Sequence, residues 1–270
     1  MTSPNSRRRS KRQNPPYQVI HLDSWQHFVE FVTNPPYSNW AFRGQSDARW
    51  PLFSVLSRYF ISFGLKEESW AYKEMRTLRI FKRKSHLFLD HIPDSDDNFQ
   101  WLALMQHHGA PTRLLDLTWS PYVAAFFALD RSTSDAAVWA LNFSKVNGPH
   151  HAEIYGGNLQ RSKNFNRFIK SPVPLVGIGD PYVMNRRLIA QSGTFAVPGI
   201  LNKPVEDILS GYPDPSNTLV KFILAKGIRD LGMRELYRMN ITPATLFPDL
   251  DGLARSMAYE LEFEWWSDDV

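Results

Sequence analysis

Residues 98–130, NFQWLALMQHHGAPTRLLDLTWSPYVAAFFALD, hold a helix, a strand and a second helix in close succession. From Asn98 to His108 the spacing of Leu102 and Met105 predicts a helix. Gly109 with Pro111 behind it supplies a stop signal, so the pair His107 and His108 falls in the last turn. The segment Arg113 to Leu117 then reads as a strand. Ser120 and Pro121 form an N-cap and a first-turn proline for an apolar helix over 121–130, whose Ala124, Phe127 and Ala128 suit close packing on a sheet.

Working outward, Asp23-Ser24 predicts an N-cap. Trp25, Phe28, Val29 and Val32 follow at helical spacing and stop before Pro35-Pro36. Trp40-Ala41-Phe42 is a short strand that carries Arg43 into a turn at Gly44. Residues 66–92 read as the longest helix, with Ala71, Met75 and Leu78 along its inner stripe. Residues 136–143, 193–197 and 218–224 read as strands, and 227–239 and 249–264 as helices. The last of these is expected to turn Leu250, Leu253, Ala254, Met257 and Leu261 to one face. Residues 144–185 are rich in Pro, Gly and Asn and read as long connections with short helices. Strands interleaved with helices give an α/β (α+β) class, a mixed central sheet flanked by helices.

Of the 31 Lys and Arg residues in this 270-residue chain, five (Arg7, Arg8, Arg9, Lys11 and Arg12) lie in residues 1–16, which hold no acid. The remainder carries 26 basic against 27 acidic side chains, so the net charge of +4 belongs to that arm and the rest is close to neutral. A Ser/Pro/Asn-rich basic segment cannot bury enough apolar surface to fold, so residues 1–16 are expected to be a disordered arm able to touch nucleic acid, and 17–270 a single domain. With no cysteine there is no disulfide framework, thiolate metal site or cysteine nucleophile. Neither a signal-peptide apolar core nor a membrane-length apolar run is present, so the expectation is a soluble, cytoplasmic protein with no membrane partner.

The polar residues of the decisive stretch and of the Arg43 turn predict one cleft, combining residues 42–45 with 106–109 and 112–116. Arg43 leaves a buried strand beside a glycine, where a planar guanidinium can meet phosphate and Gly44 lets a ligand approach the backbone. Its structural alternative is a brace to Asp116 or Asp47. His107 and His108 point about 100° apart on a helix, so at most one faces the cleft while the other packs or caps. A metal site would need a third ligand, and the later histidines are His150 and His151; no metal is expected. Asp116 in an apolar strand reads as a buried carboxylate that must be paired. Thr118 and Ser120 make a donor-rich rim before a helix start. Gln191 and Ser192, after Arg186-Arg187, present an amide at another strand edge. Glu260, Glu262, Glu264, Asp268 and Asp269 read as a solvated helix end and tail.

Three stretches together resemble the FRG-domain family of bacterial and phage proteins. They are Trp40 to Gln45 with Trp50-Pro51-Leu52; Gln106 to Asp116 with Thr118, Ser120, Pro121 and Ala125 to Ala128; and Ala190 to Phe195. Leu246 to Leu253 fits that family's closing segment. The order of a Phe-Arg-Gly strand, a Thr-x-Ser element with an Ala-rich helix, and a Gln-x-Gly strand is also similar to ADP-ribosyltransferases of the Arg–Ser–Glu type. That likeness implies a related fold and NAD as substrate. Arg43 would bind the pyrophosphate and Thr118 and Ser120 would shape the nicotinamide-ribose side, with Gly44, Gln45, Thr112 and Arg113 expected to complete the cofactor-binding set. Gln191 would stand near the family's glutamate. Because an amide supplies no negative charge, Asp116 or Glu153 would have to complete the site, or His107 or His108 would do other acid–base work. The implied function is transfer of ADP-ribose from NAD to a protein or nucleic acid acceptor, as a toxin or phage-defence effector. The alternatives are a non-catalytic nucleotide-sensing or interaction module and a histidine-dependent nuclease.

Overall fold

The computed structural model describes residues 15–148, 160–170 and 172–263, so most of the basic arm, His150, His151, Glu153 and the acidic tail beyond residue 263 lie outside the described residues. Seven strands form one mixed sheet in the order β1-β7-β4-β2-β3-β6-β5. They are β1 (Gln18–Leu22), β2 (Trp40–Gln45), β3 (Leu115–Thr118), β4 (Ala136–Asn142), β5 (Val176–Gly179), β6 (Gly193–Pro198) and β7 (Leu219–Leu224). Only β1 and β7 run parallel; every other neighbouring pair is antiparallel. The expected mixed sheet flanked by helices is therefore present. β1 and β5 are strands that the sequence reading did not include, and β5 lies in the stretch taken as connections.

The decisive stretch forms α4 (Asn98–His107), β3 and α5 (Pro121–Leu129), with α1 (Trp25–Val32), α2 (Val55–Ser62) and α3 (Trp70–Ser85) preceding them. Ser24, Ser54, Asp97 and Ser120 each cap the following helix by accepting a backbone N–H, and Gly109 at φ +81° turns the chain out of α4. Further along lie α6 (Phe143–Val146), α7 (Ser162–Lys170), α8 (Arg186–Ala190), α9 (Val205–Leu209), α10 (Arg229–Arg238), α11 (Pro243–Leu246) and α12 (Leu250–Phe263). Among the described residues no helix is long and apolar enough to cross a membrane.

Alternation along the strands divides the core. Phe42, Val138, Ala140 and Phe222 pack with Trp25, Phe28, Ala124, Phe126 and Leu236 on one face, whereas Ala41, Trp139, Leu141, Leu115 and Leu117 pack with Val176, Ala196 and Leu209 on the other. A third cluster joins α3, α4 and α7 to Phe195 and Val197 of β6, with the Phe99 and Phe165 rings stacked 4.4 Å apart. Asp116 pairs with Phe195 and Thr118 pairs with Phe42, so the first and third clusters lie on the same face of the sheet. A trough runs between them over β2 and β3.

Two of the amphipathic stripes differ from expectation. On α3 the buried residues are Trp70, Glu74, Leu78 and Ser85, while Ala71 and Met75 are exposed. The inner face is organised around a charge: Glu74 receives Arg113 in a bidentate pair, Nε donating to Oε1 at 2.7 Å and Nη2 donating to Oε2. Both side chains are about 5 % exposed. On α12 the expected inner face is the outer one. Leu250, Leu253, Met257 and Leu261 are exposed, and Gly252, Ser256, Tyr259 and Phe263 are buried because two aromatic rings outbid the aliphatic stripe for the core.

Two stability predictions follow from this packing. Glu74→Ala leaves the Arg113 cation buried without its partner and is expected to cost about 3–5 kcal/mol in denaturant unfolding; a loss below about 1 kcal/mol contradicts the pair's role. A Cβ on Gly44 would stand 2.0 Å from the Ala124 carbonyl oxygen and 2.5 Å from the Ala128 nitrogen of α5. Because those atoms are backbone, Gly44→Ala is expected to lower stability by at least about 1–3 kcal/mol, read as a drop in melting temperature.

Candidate functional site

β2 pairs with β4 along its whole length, from Trp40–Asn142 to Gln45–Ala137, but with β3 at Phe42–Thr118 alone. Beyond that pair the two strands part. A cleft of about 390 Å³ occupies the opening and the trough above it, a size within the range of small-ligand sites. Its wall includes Phe42, Arg43, Gly44 and Gln45 from β2, Asp116 and Thr118 from β3, Gln106 and His107 from α4, Arg58 from α2, and Arg187 and Gln191 at α8.

Arg43 and Asp116 meet across the opening. Arg43 Nη1 donates to the Asp116 backbone oxygen at 2.7 Å and stands 3.8 Å from its Oδ2. Nε of Arg43 is buried and has no hydrogen-bond partner. Burial pushes the Arg43 pKa down, opposed by Asp116 and reinforced by Arg58. The alternative brace to Asp47 is not formed, since Asp47 pairs with Arg49 at 2.6 Å. That partnership draws the Asp47 carboxyl down to about 2. Asp116 itself corrects the expectation of a buried carboxylate: its side chain is 64 % exposed, facing the cleft. Gln106 Nε2 donates to Asp116 Oδ1 at 2.6 Å, and the Thr112 hydroxyl donates to Gln106 Oε1. Thr112 is fully buried and also accepts the Leu114 N–H, so it holds Gln106 in place from outside the cleft wall.

Arg113 was expected to help hold a ligand. It does not line the cleft: its guanidinium is taken by Glu74 and by the Pro198 carbonyl, to which Nη1 donates at 3.1 Å. Gly44 does line the cleft, yet its missing side chain serves the close approach of α5. Gln45 accepts the Trp139 indole N–H at 2.7 Å and donates to the Pro51 oxygen, so its amide is occupied internally. Ser120 caps α5 and lies outside the cleft wall. The Thr118 hydroxyl donates to the Gln191 carbonyl at 2.7 Å and accepts the Ser120 N–H, tying the start of β6 to β3. Gln191 reaches the cleft, with its Nε2 donating to the Leu246 oxygen at 3.0 Å.

The histidine pair divides as its helical spacing requires. His107 lines the cleft and His108 is exposed outside the wall, with the two rings 4.9 Å apart and edge to face. Burial pushes the His107 pKa down, and His108 and Arg187 push in the same direction. These effects favour the neutral imidazole, the form that can accept a proton. Among the described residues no group of three or more His, Asp or Glu side chains is arranged to hold a metal ion.

Arg58, Trp50 and Phe247 are cleft residues to which the sequence reading gave no role. Trp50 is half exposed and offers an open indole face. The Phe247 ring is approached by two guanidinium groups, Arg187 at 4.7 Å and Arg255 at 4.5 Å from its centroid. The signal for Arg58 was the unread helix α2, whose Ser54 cap and buried Leu56 and Phe60 mark its inner side. The lining thus carries Arg43, Arg58 and Arg187 against one carboxylate, Asp116, among several aromatic rings. Chemically it suits an anion bearing an aromatic ring.

The loop carrying Trp50 is tied at several backbone atoms. Lys221 Nζ donates to the Ala48 oxygen at 2.6 Å, and Leu52 N donates to Glu206 Oε2 at 3.0 Å. Burial raises the Glu206 carboxyl from 4.5 to about 7, against the opposing Leu52 N–H and Lys221. A carboxyl held more protonated in the fold than in the unfolded chain favours folding fully below pH 4.5, and that contribution is lost as pH rises through about 7. Glu206→Gln keeps an acceptor for Leu52. It is expected to remove a decline of roughly 3 kcal/mol between those limits, measured by denaturant unfolding across pH; parallel profiles for both proteins contradict this.

A family model described as FRG domain matches residues 38–137, which run from β2 through α5 into β4 and contain Arg43, Arg58, His107, Asp116 and Thr118. No curated protein and no solved structure matches the chain.

Proposed function

From the FRG domain at residues 38–137 as premise, we propose that the cleft binds NAD and that the protein transfers ADP-ribose from it to a macromolecular acceptor. The observation that carries this reading is convergence: Arg43, Thr118 and Gln191, which lie far apart in sequence, line one cleft. They are three of the four positions through which the chain resembles ADP-ribosyltransferases, with Gln191 standing where those enzymes have a glutamate; the fourth, Ser120, lies outside the cleft wall. The cationic lining, the buried unpartnered Nε of Arg43 and the open Trp50 ring fit a phosphate-bearing ligand with an aromatic base.

In this reading Arg43 holds the diphosphate and Thr118 fixes the strand edge beside the ribose. The bond from ribose C1′ to the nicotinamide nitrogen breaks, and its electron pair leaves with the ring, which becomes neutral. The acceptor nucleophile bonds to C1′ and gives up its proton. Neutral His107 is the cleft group suited to take that proton. Asp116 is the one carboxylate on the wall among the described residues, so it is the group that would stabilise the positive charge developing at C1′.

A second reading is favoured by one specific contact, the Gln191 amide donating to Leu246 rather than into open space: a nucleotide-binding module without turnover. NAD labelled in its adenylate part separates the two. Transfer predicts label on protein or nucleic acid together with released nicotinamide, and Arg43→Ala is expected to reduce both by about a hundredfold or more. Thermal stabilisation by NAD with neither product would establish the binding module, and no stabilisation and no product would dispose of both.

A further inference from the structure

We infer that Arg58, which shares the cleft lining with Arg43, is the second arm of a diphosphate seat, so that the site selects ligands with two linked phosphates over those with one. The inference rests on the nucleotide reading above and names the anion that reading requires. It starts from unequal compensation among the cleft cations. Arg187 is already held, 3.4 Å from Asp249 Oδ2 and stacked over Phe247. Burial and the neighbouring His108 and Arg187 disfavour a charge on His107. Arg43 keeps one strong bond, to a backbone oxygen, and a longer contact to Asp116 Oδ2, whose Oδ1 is engaged by Gln106. The Arg58 side chain makes no hydrogen bond and no ion pair with another described residue, yet it reaches the cleft wall.

The position of Arg58 is nevertheless fixed. Leu56 and Phe60 on the inner side of α2 pack with Trp70 and Leu201, and Leu56 N donates to the Thr112 oxygen at 3.1 Å. The helix is thereby anchored to the segment that orders Gln106 and leads into β3. Arg58 also adds to the downward pressure on the Arg43 pKa, the mark of two like charges sharing a site. Two guanidinium forks in the lining of one cleft, which carries a single half-engaged carboxylate, are relieved by an anion that gives each fork its own pair of oxygens. A diphosphate does so; a monophosphate satisfies one fork and leaves the other.

The test is isothermal titration of the full chain, wild type and Arg58→Gln, with ADP, AMP and adenosine at low ionic strength, where exposed charges are least screened. Circular dichroism verifies that the variant is folded, as expected for an exposed side chain. Loss of one charge-assisted contact should weaken ADP by roughly tenfold to a hundredfold, and AMP and adenosine by less than about threefold. Arg58→Lys should restore only part of the ADP affinity, because an ammonium cannot form the fork. Equal losses for ADP and AMP, or no loss for ADP, overturn the seat. Nicotinamide release from NAD is followed on the same preparations. Arg58-dependent ADP binding without turnover keeps the seat and removes transfer. Turnover by wild type with ADP affinity and the KM for NAD unchanged in Arg58→Gln removes the seat and keeps transfer.

Discussion

Strand β2 gives up its pairing with β3 after a single residue pair while remaining fully bonded to β4, and the candidate site follows from that partial divorce. Backbone groups released by the parting need partners, since an unpaired buried peptide group costs as much as a lost hydrogen bond. Arg43 supplies one by donating to the Asp116 carbonyl. The same side chain thus closes the defect in the sheet and presents its remaining N–H groups to the space the defect creates. Gly44 keeps the arrangement shallow by letting α5 settle on β2, which fixes one bank of the trough.

The other bank is set by charges that never meet the cleft. The pair of Arg113 with Glu74 joins α3 to the segment leading into β3, and Thr112 next to it orders Gln106 and receives the Leu56 N–H. Desolvating an ion pair is costly, so such a pair adds little net stability over well-packed apolar residues. Here it fixes where α4 ends relative to β3, and so where Gln106 and His107 stand relative to Asp116. Glu74, Arg113 and Thr112, the buried polar side chains of this junction, are partnered internally. The orphaned Nε atoms of Arg43 and Arg187 belong to side chains of the cleft wall.

Most of this frame was legible in the sequence because its signals are local. Ser24, Gly109 and Ser120-Pro121 mark helix ends through cap chemistry that depends on a few neighbouring residues, and α1, α4, α5, β2, β4, β6 and β7 lie where that chemistry and the apolar spacing put them. What escaped was decided by partners far along the chain. β1 and β5 are short edge strands whose identity comes from pairing with β7 and β6. The buried face of α3 is set by Arg113, 39 residues away, and that of α12 by packing of Tyr259 against Phe126. At the site, Arg43, His107, Asp116, Thr118 and Gln191 come together as the motif spacing suggested. Arg113 was misread because a guanidinium next to a site motif looks the same in sequence whether a ligand or a buried glutamate will take it.

Whether a guanidinium is structural or functional is then a question of how many of its donors the fold consumes. Arginine carries five N–H groups in a planar fork. Arg113 commits both of its edges, to Glu74 and to Pro198, and is about 5 % exposed. Arg43 commits one bond, leaves its Nε without a partner and borders an open cleft. A purely structural arginine in that position would be expected to complete its fork, because the desolvation of each unmatched donor is a standing cost. Here that cost is left uncompensated at the point where the sheet opens. An anionic ligand with oxygens to spare would remove it on binding, and the unmatched donors would become binding energy.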